Sequence, residues 1–258
     1  MSKSALVISD VSVGYGKGCD AVPVVSSIDA VLSGGEMVAL IGRNGAGKST
    51  LLRTIAAYQP PIAGLVEYSG KDVASMNHHD IAKSISVVLT EPVSALLTVR
   101  ELVSLGRTPY TGFMGRLSAK DNEVVDGAMR DMGVSHLAHR KISTLSDGER
   151  QKCLVAKALA QETPLLLLDE PTAFLDYPSK VHLLGLLKKL AKEKGKAVIV
   201  SVHDLELVLR LADKVWLVDN GRMYCGTVKE LSSSGVLQSF IDSDTIRYNT
   251  KENRIEII

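Results

Sequence analysis

Gly42-Arg43-Asn44-Gly45-Ala46-Gly47-Lys48-Ser49 sets three glycines, a lysine and a hydroxyl in the order that cradles a polyphosphate. Glycine lets the backbone fold tightly enough for its N–H groups to point at phosphate oxygens. A helix opening at Lys48 adds the positive end of its dipole. Lys48 is then the candidate charge for the β- and γ-phosphates, Ser49 the candidate Mg²⁺ ligand and Thr50 a further nucleotide contact. A plain glycine-rich turn would have the same composition. Here the segment follows a strand-like run, residues 36–41, and opens a helix-like one, residues 48–58, which is the context this chemistry needs.

A second set of chemical groups lies about 120 residues downstream. Leu165–Leu168 reads as a buried strand ending in Asp169 and Glu170. A carboxylate at the C-terminal end of a sheet strand stands where sheet ligands gather. Asp169 is placed to anchor Mg²⁺ through water, and Glu170 to orient and deprotonate an attacking water. Taken alone, two acids after a strand would be a surface cap; with a phosphate loop upstream, phosphoryl transfer is the better reading.

The elements that must carry these residues follow from periodicity. Residues 5–13 and 22–32 read as β, and residues 65–68 and 85–89 as shorter strands. Residues 98–105 and 119–132 read as amphipathic helices around a loop at 108–116. Strand and helix then alternate: helix 151–161, strand Leu165–Leu168, helix 179–194, strand 197–202, helix 205–212 and strand 215–219. Continuous apolar strands between helices predict an α/β fold with a mainly parallel sheet covered on both faces. The tail, residues 245–258, suits a hairpin around the polar stretch 249–253.

Composition narrows the class. The 258 residues are 45% hydrophobic, enough for a sizeable core, and carry 30 Lys plus Arg against 29 Asp plus Glu. That balance argues against a nucleic-acid partner. Cys19, Cys153 and Cys225 lie far apart and read as reduced thiols. His78, His79, His136 and His139 lack accompanying ligands at metal-binding spacing and read as solvated. The first ten residues have no long apolar run, so they are not read as a secretory signal. No run of about 20 apolar residues occurs, so crossing a membrane falls to another chain.

Leu145-Ser146-Asp147-Gly148-Glu149-Arg150-Gln151 resembles the LSGGQ signature of ABC ATPases, and with the motifs above the resemblance runs over nearly the whole chain. Ser146 with Glu149 also fits an ordinary helix capping box; order and spacing favour the signature. The resemblance implies a P-loop, RecA-like core with an N-terminal antiparallel β part and an inserted helical subdomain. It divides the chain into a core of residues 1–92 and 150–220, a helical part of 93–149 and a C-terminal extension of 221–258. It implies that ATP and Mg²⁺ sit between the phosphate loop of one copy and the signature of a second. Ser146, Asp147, Gly148 and Glu149 would then touch the partner's nucleotide. Tyr15 would stack on adenine, His203 would be the switch histidine and Asp176 would lie in the D-loop.

Two departures stand out. Asp147 replaces the usual glycine, and is expected to point away from the γ-phosphate, which it would repel. Glu91 occupies the position of the usual Q-loop glutamine. It is expected to serve as Mg²⁺ ligand and relay to the membrane partner, so Glu91→Gln should preserve coupled transport. A dead glutamine variant beside a normal Glu91→Ala would show that the loop lies elsewhere.

Residues 98–110 are similar to the ATPases of iron-siderophore, haem and cobalamin importers. The implied partners are a second copy, integral membrane permease subunits and, indirectly, a periplasmic or surface substrate-binding protein, with the chain peripheral at the cytoplasmic face of the cell membrane. Three other readings compete: a soluble ABC ATPase that remodels a complex, an exporter's ATPase, and a non-hydrolysing regulatory ATP binder.

Overall fold

The computed structural model describes residues 4–16, 20–89, 96–112, 115–173, 175–250, 252 and 254–258. A four-stranded antiparallel sheet runs β2 (Val22–Ser33), β1 (Ser4–Tyr15), β4 (Ala63–Tyr68), β5 (Lys71–Asp72). A six-stranded sheet runs β10 (Arg222–Gly226), β9 (Lys214–Asp219), β3 (Met37–Gly42), β8 (Ala197–Ser201), β7 (Leu165–Leu168), β6 (Ile85–Val88). It is parallel except for β10, which pairs antiparallel with β9.

Strand periodicity sorts the core into two faces. Met37, Ala39, Ile41, Leu166, Leu168, Val198 and Val200 join one cluster, while Val38, Leu40, Leu165, Leu167, Ala197 and Ile199 join the other. Alternate side chains leave opposite faces of a strand, so strands buried on both sides must be apolar throughout. The second face packs against the antiparallel sheet and against Leu51, Leu52 and Ile55 of α1 (Lys48–Ile55). The first face meets buried side chains of α3 (Val99–Ser104), α4 (Ala119–Asp131), α5 (Asp147–Ala160), α6 (Tyr177–Lys194) and α7 (Leu205–Leu211). The chain also forms α2 (His78–Ser84), α8 (Val228–Ser233), α9 (Val236–Ile241) and a hairpin of β11 (Ile246–Asn249) and β12 (Arg254–Ile257). The hairpin inserts Tyr248 into the core.

Several boundaries differ from the sequence reading, two of them in helices that carry candidate site residues. α1 stops at Ile55 rather than Tyr58: Ala57 turns left-handed at φ 60°, and the Tyr58 and Ala57 N–H groups donate to Arg53 and Thr54 carbonyls. This is a Schellman ending without its customary glycine. α5 begins at Asp147, not Gln151, because Ser146 caps it; the signature turn is the first turn of the helix.

The loop expected at 108–116 starts later. After α3 the backbone continues as a tight 3₁₀ turn through Tyr110, with Pro109 inside it. Gly106 allows this turn to lie on α5, since a Cβ there would come 2.3 Å from the Lys157 carbonyl. Arg107, its side chain 3% exposed, donates to Asp121 at 2.9 Å, to Glu162 at 2.7 Å and to the Ala160 carbonyl at 2.8 Å. The Tyr110 ring covers its guanidinium at 4.0 Å. The Ser118 hydroxyl and N–H, and then Arg107, hold the Asp121 carboxyl down at about 2. The stability it lends is present above about pH 4 and is lost as pH falls through about 2.

Removing one partner of a buried charge network is costly, so Arg107→Ala is expected to lower stability by about 3–5 kcal/mol, read from the urea midpoint at pH 7.

Candidate functional site

The glycine-rich loop joins β3 to α1 at the C-terminal edge of the six-stranded sheet. Gly47 stands at the N-cap with φ 106°, and a Cβ there would press 2.8 Å from Val24 and Val25. Arg43, Asn44 and Gly45 face solvent, while Lys48 is 6% exposed. Its ammonium donates to the Gly42 carbonyl at 2.8 Å and the Arg43 carbonyl at 3.2 Å, so the lysine spans its own loop. Burial lowers its pKa, while the nearby charges of Glu170 and Asp169 act to raise it. β3 and β7 run parallel on either side of β8, so the lysine's loop and the two acids leave the same edge of the sheet.

A hydrogen-bond chain links the acids to the end of β8. The Ser201 hydroxyl donates to Asp169 Oδ1 at 2.6 Å and accepts the Glu170 N–H at 2.8 Å. Glu170 Oε1 meets His203 Nε2 at 2.5 Å. Glu170 itself turns left-handed, at φ 49°. The fold thus gathers Lys48, Asp169, Glu170 and His203 at the ends of adjoining parallel strands. Sequence reasoning passed over Ser201. The available signal was one hydroxyl inside the otherwise apolar run from Ala197 to Val202.

The Mg²⁺ suggested by the loop fits what is here. Ser49 is exposed at the first turn of α1 and Asp169 offers carboxylate oxygen, both hard donors. Among the described residues no group of three or more His, Cys, Asp or Glu converges as a protein-only cage. Mg²⁺ is characteristically held by one or two protein oxygens together with substrate phosphates.

Tyr15 ends β1 as a residue 63% exposed, and its hydroxyl meets Thr50 Oγ1 at 3.0 Å. A flat aromatic face is therefore held beside the first turn of α1.

The Ser146–Glu149 turn is separate: among the described residues no hydrogen bond joins it to the Lys48 loop. The Ser146 hydroxyl accepts the Glu149 N–H at 3.3 Å, and Glu149 accepts the Ser146 N–H at 2.9 Å and its hydroxyl at 3.0 Å. These bonds lower the pKa of Glu149. Asp147 turns along the helix surface to Arg150 at 2.9 Å. Ser146 and Asp147 face solvent, and Leu175 lies over Gly148. Asp176 caps α6 by accepting the Ser179 N–H at 3.0 Å. Glu91 lies outside the described residues.

Comparisons with known proteins agree in one direction. The ABC transporter family profile matches residues 25–173. An uncharacterized ABC transporter ATP-binding protein of Methanocaldococcus jannaschii is 44% identical over 84% of this chain and 74% of its own length. The achromobactin transport ATP-binding protein of Dickeya dadantii is 34% identical, and the iron(3+)-hydroxamate import ATP-binding protein of Bacillus subtilis 36% identical, each over 93% of this chain and 89% of its own. A structure described as a metal-chelate type ABC transporter in an inward-facing conformation superposes with a TM-score of 0.79 at 28% identity, covering 92% of this chain and 88% of that one. A dimeric bacterial ABC transporter cassette superposes with a TM-score of 0.75 at 25% identity, covering 86% and 98%.

Proposed function

The chain belongs to the ABC transporter family, and from that premise we propose that it is the ATP-hydrolysing subunit of an importer for an iron chelate, haem or cobalamin. The observation that carries the chemistry is the placing of Lys48 and the hydrogen-bonded chain Asp169–Ser201–Glu170–His203 at the same ends of adjoining parallel strands. The cargo class rests on the iron-chelate transport and import relatives.

Two copies pair so that each phosphate loop faces the other copy's Ser146 turn. The backbone N–H groups of residues 42–49 and the α1 N-terminus hold the phosphates, Lys48 neutralises the β- and γ-oxygens and Tyr15 stacks on the adenine. Ser49 and Asp169, with Glu91 as a further oxygen donor, would hold Mg²⁺, which when bound would supply charge neutralisation on the phosphates. Glu170 takes a proton from the attacking water, and His203 orients that water and the γ-phosphate. The Ser146 hydroxyl and the first N–H groups of α5 bind the γ-phosphate across the dimer, and Asp176 lies near the same seam. Asp147, tied to Arg150, leaves that approach clear.

Closure on ATP and reopening after hydrolysis pass to the permease through Glu91 and the helices of residues 93–149. In this reading the chain sits peripherally on the cytoplasmic face of the permease, with a substrate-binding protein delivering cargo from the other side; no described helix is long and apolar enough to cross a membrane.

The test is affinity purification of the tagged chain from its native membranes in mild detergent. A polytopic membrane protein at comparable abundance, with ATP hydrolysis, is the expected result. A preparation carrying only soluble partners would replace transport with remodelling of a soluble complex.

A further inference from the structure

We propose that Ser201 is a positioning residue for hydrolysis, its one hydroxyl fixing Asp169 and Glu170 together; this rests on the ATPase reading above. Ser201 is fully buried at the end of β8. A serine there costs stability unless its hydroxyl is bonded, and an alanine would fill the strand position more simply. The bonding directions are forced. The Glu170 N–H can only donate, so the Ser201 oxygen accepts it, and the single hydroxyl proton goes to Asp169 Oδ1. At 2.6 Å that second bond has the length of a charge-assisted contact to a carboxylate.

Each bond settles a different variable. The bond to Asp169 fixes the plane of the carboxylate expected to serve Mg²⁺. The bond from Glu170 secures the backbone where it turns to φ 49°, a conformation that persists only when its surroundings determine it. Two residues further along the same segment, His203 meets the Glu170 carboxylate. The end of β8 therefore grips Glu170 twice, at its backbone through Ser201 and at its side chain through His203. Fully buried behind the two acids it bonds, Ser201 acts through them.

Outer partners of metal ligands typically carry about 10–100-fold in affinity or activity. Ser201→Ala is accordingly expected to lower kcat about 10–100-fold while KM for ATP stays within about twofold. It should also weaken Mn²⁺ binding, followed by electron paramagnetic resonance with a non-hydrolysable ATP analogue, by about 10-fold. Ser201→Cys, a weak donor and acceptor of similar size, should fall between alanine and serine. Ser201→Thr, which keeps the hydroxyl, should recover most of the native kcat.

An alanine variant with native kcat and native Mn²⁺ affinity would overturn the inference. So would a loss of kcat matched by an equal rise in KM and a lowered melting temperature, with cysteine no better than alanine. The Mn²⁺ measurement needs no turnover. A native protein that binds nucleotide but does not hydrolyse it would therefore defeat the ATPase reading, while unchanged Mn²⁺ affinity in Ser201→Ala would defeat this one.

Discussion

Glu170→Gln is expected to bind ATP as the native chain does and to lose about 10²–10⁴-fold in turnover, the usual worth of a general base. The substitution keeps the size of the side chain and its ability to hydrogen-bond His203, now 2.5 Å from Oε1. The Glu170 backbone N–H, which the change leaves in place, still donates to the Ser201 oxygen. What disappears is the carboxylate that accepts the proton of water. With binding intact and hydrolysis stopped, the closed pair of subunits should accumulate when ATP and Mg²⁺ are added, and should elute as a dimer. Undiminished phosphate release by this variant would remove Glu170 from the role of base.

Lys48→Ala should act earlier, on binding itself. Truncating one member of a buried charged contact costs about 2–5 kcal/mol, equivalent to roughly 30-fold to several-thousand-fold in ATP affinity. Titration with a fluorescent nucleotide reads this directly, and native affinity in the alanine variant would dismiss Lys48 as a phosphate ligand. Its pH behaviour has a defined sign. Burial holds the folded pKa below the ordinary lysine value, so on raising the pH the folded protein releases this proton before the unfolded chain does. The unfolded state then binds more protons, and this group's contribution to stability increases with pH between the lowered value and about 10.5. Nucleotide affinity moves the opposite way, since the neutral amine attracts phosphate less. Lys48→Ala should show neither trend.

Much of this was legible in local sequence. The glycine-rich loop announced itself because the backbone path it needs admits few residue types. Leu165–Leu168 and the β8 run were readable because strands buried on both faces must be apolar at every position. Other features depended on distant partners. Ala57 ends α1 in a conformation usually left to glycine, so the helix looked three residues longer than it is. The start of α5 was placed four residues late although Ser146 and Glu149 spelled its cap. β10 lacks the apolar run that marks the central strands, since it closes an edge with mostly exposed side chains. Arg107 carries no local mark of burial, because only tertiary packing brings Asp121 and Glu162 to it. Ser201 was hidden because a small polar residue in a strand carries no local mark of what it bonds.

The grip of Arg107 on the Ala160 carbonyl has a mechanical consequence. It holds the last turn of the same helix whose first turn is capped by Ser146. Fourteen residues at 1.5 Å per residue make that helix a rod of about 21 Å. Pivoting by roughly 10° about the gripped end would carry the other tip through about 3.7 Å, more than the length of one hydrogen bond. In the two-copy arrangement proposed above, a lever of that reach would need only a slight rocking of the helical layer to make or break contact with a phosphate across the seam.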